Sequence, residues 1–139
     1  MPANTQPIFP LTPKIDWEKV TTGNTAMDGT GTVGNLFNAG ANGAKIDEIK
    51  CKSLGTNVKT VLRIFINNGS STTSAVNNTL YAEVDLPATT ANDSNSITTE
   101  LIVLEPLTNL VLSPSYKLYV CVGTTVAAGW QITAIGNDY

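Results

Sequence analysis

Short apolar runs alternate with polar, turn-forming gaps along the chain, and several of these runs show a regular internal pattern. Residues 80–86 carry four apolar side chains at the even positions, while Tyr81, Glu83 and Asp85 stand at the odd positions. Successive side chains of a β-strand point to opposite faces, so a period of two is typical of a strand with one buried face. The pattern therefore predicts strands.

Eight such runs are rich in β-branched and aromatic residues, which strands favour. They span about residues 15–21, 32–37, 44–54, 58–67, 79–86, 97–104, 116–123 and 130–136. The gaps between them contain Asn-Gly and glycine-rich sequences, which favour tight turns. The best helical candidate, residues 16–20, is too short to nucleate a helix on its own.

This succession of elements predicts an all-β protein with about eight antiparallel strands in a β-sandwich. A jelly roll is the preferred arrangement, and an immunoglobulin-like sandwich is the alternative. The Cys…Trp…Cys order of true immunoglobulin domains is absent, because Trp130 follows both Cys51 and Cys121.

The first 14 residues differ from the rest in containing four prolines: Pro2, Pro7, Pro10 and Pro13. Proline fixes φ and removes a backbone donor, so we predict an extended N-terminal arm over residues 1–14 and a single sandwich domain over residues 15–139. Ile8, Phe9 and Leu11 are apolar residues of this arm, and Trp17 follows it. Exposing them to water is costly, so we expect them to dock, either on their own domain or on a neighbouring subunit.

The composition of the chain restricts the kinds of reaction site that it can contain. No histidine occurs and only 14% of the residues are charged, so the chain lacks the commonest general acid–base group and a frequent metal ligand. Glycosidases need only two carboxylates, and the candidate pairs are Glu83 with Asp85 and Glu100 with Glu105. No motif joins them, and acids on an outward strand face are ordinary solubilising residues. We therefore predict no catalytic residues, no metal site and no cofactor.

Charge and hydropathy also restrict the partners. A net charge of −3 with eight basic residues argues against nucleic acid, because neutralising phosphates requires clustered Lys and Arg. Lys45, Lys50 and Lys52 come nearest to a cluster, but Asp47 and Glu48 lie among them, which is typical of a solvated strand face. No apolar run reaches the ~18 residues that span a bilayer, and the first residues do not look like a secretory signal. We expect synthesis in a cytoplasm and no contact with nucleic acid or membrane.

The two cysteines lie inside apolar runs, where a small thiol packs well. Two free, buried thiols are the preferred interpretation of Cys51 and Cys121. A disulfide remains the alternative, and it requires neighbouring strands with facing Cβ atoms.

Aromatic residues offer candidate contacts with a sugar or another protein, since a ring has an apolar face and often a polar edge. Trp130 follows Gly129 in a regular strand, so we predict that it lies in the core. Trp17 follows the arm and is a candidate partner contact, and Tyr81 and Tyr139 are candidate sugar or interface contacts.

Four segments of the chain are similar in sequence to one group of proteins. They are residues 3–10 (ANTQPIFP), 39–43 (AGANG), 54–69 (LGTNVKTVLRIFINNG) and 116–130 (YKLYVCVGTTVAAGW). In these segments the chain resembles the small β-rich virion proteins of tailed bacteriophages.

The resemblance implies a non-enzymatic virion protein, most simply a capsid decoration (cement) protein on the capsid surface that binds the major capsid protein and stabilises the head. It also implies a homo-oligomer, with a trimer as the first expectation. A carbohydrate-binding module or a tail or fibre component on the virion surface is the alternative. The resemblance rests on no catalytic motif, so it transfers no site residues to this chain.

Overall fold

The computed structural model describes residues 9–97 and 110–139. These residues form two four-stranded antiparallel sheets packed against each other. The strands are β1 (Thr12–Val20), β2 (Gly34–Asn38), β3 (Ala44–Ser53), β4 (Thr60–Asn67), β5 (Asn78–Leu86), β6 (Leu110–Leu112), β7 (Lys117–Val122) and β8 (Trp130–Asp138), with a 3-10 helix at Ala75–Asn77. The predicted all-β sandwich is confirmed.

The order of the strands shows the type of sandwich. Sheet A has the order β1-β8-β3-β6 and sheet B the order β2-β7-β4-β5. The first strand therefore pairs with the last, the second with the seventh, the third with the sixth and the fourth with the fifth, all antiparallel. A chain doubled back on itself and then wrapped into two sheets in this way is a jelly roll.

Seven of the predicted strands coincide with observed strands to within about three residues at either end. The remaining one, predicted for residues 97–104, lies outside the described residues except at its first position, which is not in a strand. β6 was not predicted, because three residues are too few to show an alternating pattern.

β1 begins earlier than predicted. Its first three residues were assigned to the arm, but Thr12, Pro13 and Lys14 are paired with the C-terminal end of β8. Proline argues against a central strand but is compatible with an edge strand, and among the described residues β1 is the edge of sheet A and pairs with β8 alone. The boundary placed after residue 14 therefore falls inside β1. Residues 1–8 of the predicted arm lie outside the described residues.

The core lies between the two sheets and is built from the inward positions of the strands. β8 contributes Trp130, Ile132 and Ala134, all fully buried. The predicted core position of Trp130 is thereby confirmed. Cys51 and Cys121 are free and buried, as predicted. Cys51 belongs to this core, whereas Cys121 is absent from it.

A loop from the chain itself covers the outer side of sheet B. It joins β1 to β2 over residues 21–33, and the backbone N–H of Asn24 donates to Val122 O at 2.7 Å. Arg63 Nη1 donates to Asn24 O at 3.0 Å from the outer side of β4. Phe65 and Cys121 share this side of sheet B, and both are buried although neither packs in the core between the sheets. We call residues 21–33 the covering loop.

Candidate functional site

The outward face of β1 carries large apolar side chains. Ile15 is 56% exposed and Trp17 is 65% exposed, and just before the strand Phe9 is 67% exposed and Leu11 79% exposed. Single exposed apolar residues are common on protein surfaces, but several of them in and next to one strand make a candidate interaction surface. We call these four residues the apolar row.

Lys14, Asp16 and Glu18 of β1 point the other way, and the contacts of Lys14 and Glu18 explain why. Lys14 Nζ donates to the backbone carbonyl of Asn38 and lies 3.4 Å from Asp138 Oδ2. The same ammonium group lies 4.9 Å from the centre of the Phe37 ring, a cation–π contact. A shift of one residue would turn Lys14 outward and lose all of these contacts, so the register that exposes the apolar row is well specified.

Glycine at position 34 reinforces this orientation. A Cβ atom there would lie only 2.5 Å from Cγ of Glu18, another inward residue of β1. The absence of a side chain on β2 thus makes room for a charged side chain on β1. The strand places polar groups at the junction of the two sheets and apolar groups in solvent, the reverse of the usual pattern.

Side chains from the two neighbouring strands continue the outward surface of sheet A. The pairing of β1 with β8 and of β8 with β3 aligns three rows across the sheet: Ile15–Ile135–Glu48, Trp17–Thr133–Lys50 and Lys19–Gln131–Lys52. The intervening residues of β8 are buried in the core, so these rows share the outer side. We call this surface, together with Lys45 and Asp47 in the first half of β3, the sheet A face.

Two of the lysines on the sheet A face form ion pairs with neighbouring acids. Lys45 Nζ lies 3.4 Å from Asp47 Oδ1, and Lys50 Nζ lies 3.5 Å from Glu48 Oε1. The prediction of a solvated strand face is confirmed for these residues, and such exposed pairs contribute only ~0–1 kcal/mol each. Within the described ranges, by contrast, neither Lys19 nor Lys52 forms an ion pair.

The open edge of β1 is poorly suited to pairing with another strand. The carbonyl of Asp138 accepts from Leu11 N–H at 2.8 Å, so the backbone groups of Asp138 point toward β1. Asp138 pairs with Thr12, so the even-numbered residues of β1 point toward β8 and the odd-numbered ones toward the open edge. Pro13 is one of these odd residues and has no N–H to donate. Proline and inward-pointing charges are two devices that protect sheet edges.

The structure places the predicted site residues in different parts of the molecule. Phe9, Leu11 and Trp17 are all exposed, and Trp17 shares the outward face of β1 with Ile15; Ile8 lies outside the described residues. Tyr81 lies on β5 in sheet B, half-buried and packed against the core. Tyr139 follows β8 and donates its backbone N–H to Gly43 O at 3.1 Å. Tyr81 therefore lies in the other sheet from Trp17, whereas Tyr139 directly follows β8 in the same sheet as Trp17.

Sequence reasoning did not select Ile15, Lys19 and Ile135 as site residues. A signal for Ile15 was present, because apolar residues stand at odd positions from Phe9 to Trp17 while charged residues occupy the even positions 14, 16 and 18. The boundary drawn at residue 14 divided this alternation between an arm and a strand. Ile135 joins the surface only through the pairing of β1 with β8, which no local pattern shows.

Glu83 and Asp85, one of the candidate acid pairs, lie on β5. Glu83 is paired with Arg63, with Oε1 and Nε 2.9 Å apart, and Glu100 and Glu105 lie outside the described residues. The described residues contain no group of three or more His, Cys, Asp or Glu placed to hold a metal ion. They also contain no helix long and apolar enough to cross a membrane.

Comparison with known proteins adds no relative: no family model, no curated protein and no solved structure matches the chain.

Proposed function

We propose that the protein is a non-enzymatic structural protein of a tailed-bacteriophage virion, and that it decorates the capsid by binding the major capsid protein through the sheet A face. The exposed apolar row on β1 is the observation that carries this proposal. The resemblance of four sequence segments to small virion proteins supports the class of particle. The absence of histidine supports a role without acid–base chemistry.

The size of the apolar row fits a docking role. A whole aromatic side chain presents ~150–250 Å², so the four side chains at their observed exposures offer on the order of 500 Å². A standard interface takes about 800 Å² from each partner. The apolar row supplies more than half of that area, and the polar rows on β8 and β3 supply a rim.

The polar surface around the apolar row suits a large, wet interface. Thr133 and Gln131 stand beside the apolar row in the pairing of β1 with β8, and such neutral groups bond to a partner directly or through bridging water. They cost less to desolvate than charged groups do. A decoration protein needs this kind of contact, because it closes gaps between capsid subunits by shape and hydrogen bonding.

Location and assembly belong to the same proposal. The protein is made in the host cytoplasm and is carried on the capsid surface, where decoration proteins commonly sit on symmetry axes. A trimer matches a three-fold axis of a capsid and is the oligomer that we propose.

Quantitative mass spectrometry of purified virions tests this function. A capsid decoration protein is present at hundreds of copies per particle, because the major capsid protein offers that many equivalent sites. A few copies per particle would place it in the tail or a fibre instead. Its absence from virions would contradict the proposal.

A carbohydrate-binding role is the second candidate, and one observation favours it. Trp17 presents its ring to solvent from a flat sheet, with Thr133 directly opposite it in register, and exposed aromatic rings can stack on sugars. Binding to a glycan array that is lost in the Trp17→Ala variant would support this role. No binding across the array would leave the capsid role as the proposal.

A further inference from the structure

We infer that the surface docked on the sheet A face is a protein surface with an apolar patch that is flanked at one end by carboxylates. This inference rests on the proposed function and deepens it, because it specifies the chemistry that the partner must present.

The unpaired lysines carry the inference. The sheet A face holds four lysines and two acids, although the chain as a whole has a net charge of −3. Lys45 and Lys50 are neutralised by the acids beside them. Lys19 and Lys52 remain, and both stand opposite Gln131 in adjacent strands at one end of the apolar row.

A partner that covers the apolar row must approach Lys19 and Lys52. Removing an ammonium group from water without a compensating charge is costly. Carboxylates on the partner offset that cost, and they also steer the approach of the two proteins. The apolar row supplies the area of contact, and the two lysines favour a partner with carboxylates next to that area.

A second copy of this chain does not provide such carboxylates. Two copies packed face to face around a two-fold axis would each present two unpaired lysines, while the two acids of each face are already paired with lysines. Such a dimer would lack a carboxylate for any of its free ammonium groups. Addition of a strand at the β1 edge is also disfavoured, because Pro13 interrupts the row of donors there.

Trp17 is the natural anchor of the contact. It lies between Ile15 and Lys19 along the strand and opposite Thr133 across it, so the rest of the face borders it on three sides. Central aromatic residues with a surrounding rim dominate the binding energy of most interfaces. The lysines stand at the rim, where a charge chiefly changes the association rate and its dependence on salt.

Co-sedimentation with capsids tests the inference. The probe is the capsid of the encoding phage, purified without this protein, and the full-length chain is added to it in about 0.05 M and about 0.5 M salt. We compare the wild type with Trp17→Ala and with the double variant Lys19→Glu, Lys52→Glu. The matched control is Lys59→Glu, Lys117→Glu, which makes the same change of net charge on sheet B and the β3–β4 connection.

We expect the wild type to bind and to bind more weakly at the higher salt concentration. The Lys19→Glu, Lys52→Glu variant should bind at least about tenfold more weakly at low salt, Trp17→Ala should lose most of its binding, and the control should bind as the wild type does. If the wild type binds capsids and the Lys19→Glu, Lys52→Glu variant binds equally well, the inference is overturned and the capsid role stands. The same holds if Trp17→Ala binds as well as the wild type does. Failure of the wild type to bind capsids would overturn the proposed function itself.

Discussion

At the residue scale, the two tryptophans of the chain show how binding and stability are separated. Trp17 is 65% exposed on the sheet A face, whereas Trp130 is fully buried in the core. Both are large aromatic residues in strands, and they differ only in the face of sheet A that they occupy. Replacing each one should therefore affect a different property.

We expect Trp17→Ala to change the free energy of unfolding by no more than about 0.5 kcal/mol, as for most surface substitutions. Trp130→Ala should lower it by about 3–5 kcal/mol, because it leaves a large cavity in the core. Urea unfolding followed by circular dichroism measures both values. A large loss of stability in Trp17→Ala would show that this side chain supports the fold, and its proposed role as a docking anchor would lose its basis.

The buried thiols make stability depend on pH in the alkaline range. Burial raises the pKa of the Cys51 thiol to about 12, while a cysteine in an unfolded chain ionises near pH ~8.5. The unfolded state then binds fewer protons than the folded state above that pH, so the free energy of unfolding falls as pH rises. The stabilisation from the neutral thiol is fully present below pH ~8.5 and is lost as the pH approaches ~12.

Between about pH 8 and about pH 10, we expect Cys51 to lower the free energy of unfolding by about 1–2 kcal/mol. The Cys51→Ala variant is the control: it is less stable throughout, but its stability should fall less steeply over this range. Urea unfolding at the two pH values gives the comparison. Equal slopes for the wild type and the variant would show that Cys51 does not control this dependence.

At the element scale, the orientation and the start of β1 could not be predicted from the sequence. Alternation identified β4 and β5 because residues such as Leu62 and Ile64 on β4 and Val84 and Leu86 on β5 turn to the core, although a bulge opposite Phe65 leaves Leu80 outside it and packs Tyr81 against it. In β1 the alternation is equally regular, but its apolar face points to solvent, and that orientation depends on contacts of Lys14 and Glu18 with β2. The proline content of the first 14 residues then hid the start of the strand, since only the edge position of β1 makes Pro13 acceptable.

The start of β1 also decides how the arm can be removed. A truncation of residues 1–14 would delete three pairs of the β1–β8 ladder, from Thr12 to Lys14, and so disturb the fold together with the arm. A truncation that ends before Phe9 leaves both the ladder and the apolar row intact.

The covering loop is an element that the core does not hold in place. Asn24 organises it: Nδ2 donates to Thr30 O at 2.8 Å and to Thr32 O at 3.0 Å, and Oδ1 accepts from Ala26 N–H at 3.0 Å. Beside the loop, Thr22, Thr32 and Cys121 line a cavity of about 130 Å³. Loss of the Asn24 side chain should loosen the loop and expose the cysteine beneath it.

We expect Asn24→Ala to raise the rate at which a thiol reagent modifies Cys121 by at least about tenfold, while Cys51 in the core stays protected. Mass spectrometry after timed labelling identifies the modified residue. Asn95→Ala, a change at an exposed amide outside the loop, is the control and should leave the rate unchanged. Equal labelling of both cysteines in Asn24→Ala would indicate global unfolding and contradict a local role for the loop.

At the scale of the whole molecule, the jelly roll brings together the two ends of the chain. β1 and β8 pair along their whole length, so the sheet A face combines residues from the first 20 positions with residues from the last ten. An alternating pattern predicts the strands of a sandwich, because it depends only on residues that are close together in the sequence. The sheet A face could not be predicted, because the alignment of Ile15 with Ile135 and of Lys19 with Lys52 across Gln131 exists only after the sheet has formed.

The two sheets also differ in what lies over them. Residues 21–33 contact sheet B through Val122 and Arg63, and Phe65 and Cys121 on its outer side are buried. Sheet A carries Ile15 and Trp17 on its outer side, both more than half exposed. This difference between the sheets, among the described residues, is the reason why we propose the sheet A face as the docking surface.

A cryo-electron microscopy reconstruction of the decorated capsid at side-chain resolution tests this claim most directly. Our account predicts that Trp17 and Ile15 are buried against the major capsid protein and that carboxylates of that protein lie within ion-pair distance of Lys19 and Lys52. A reconstruction in which the protein sits on the capsid with Trp17 facing solvent would contradict it.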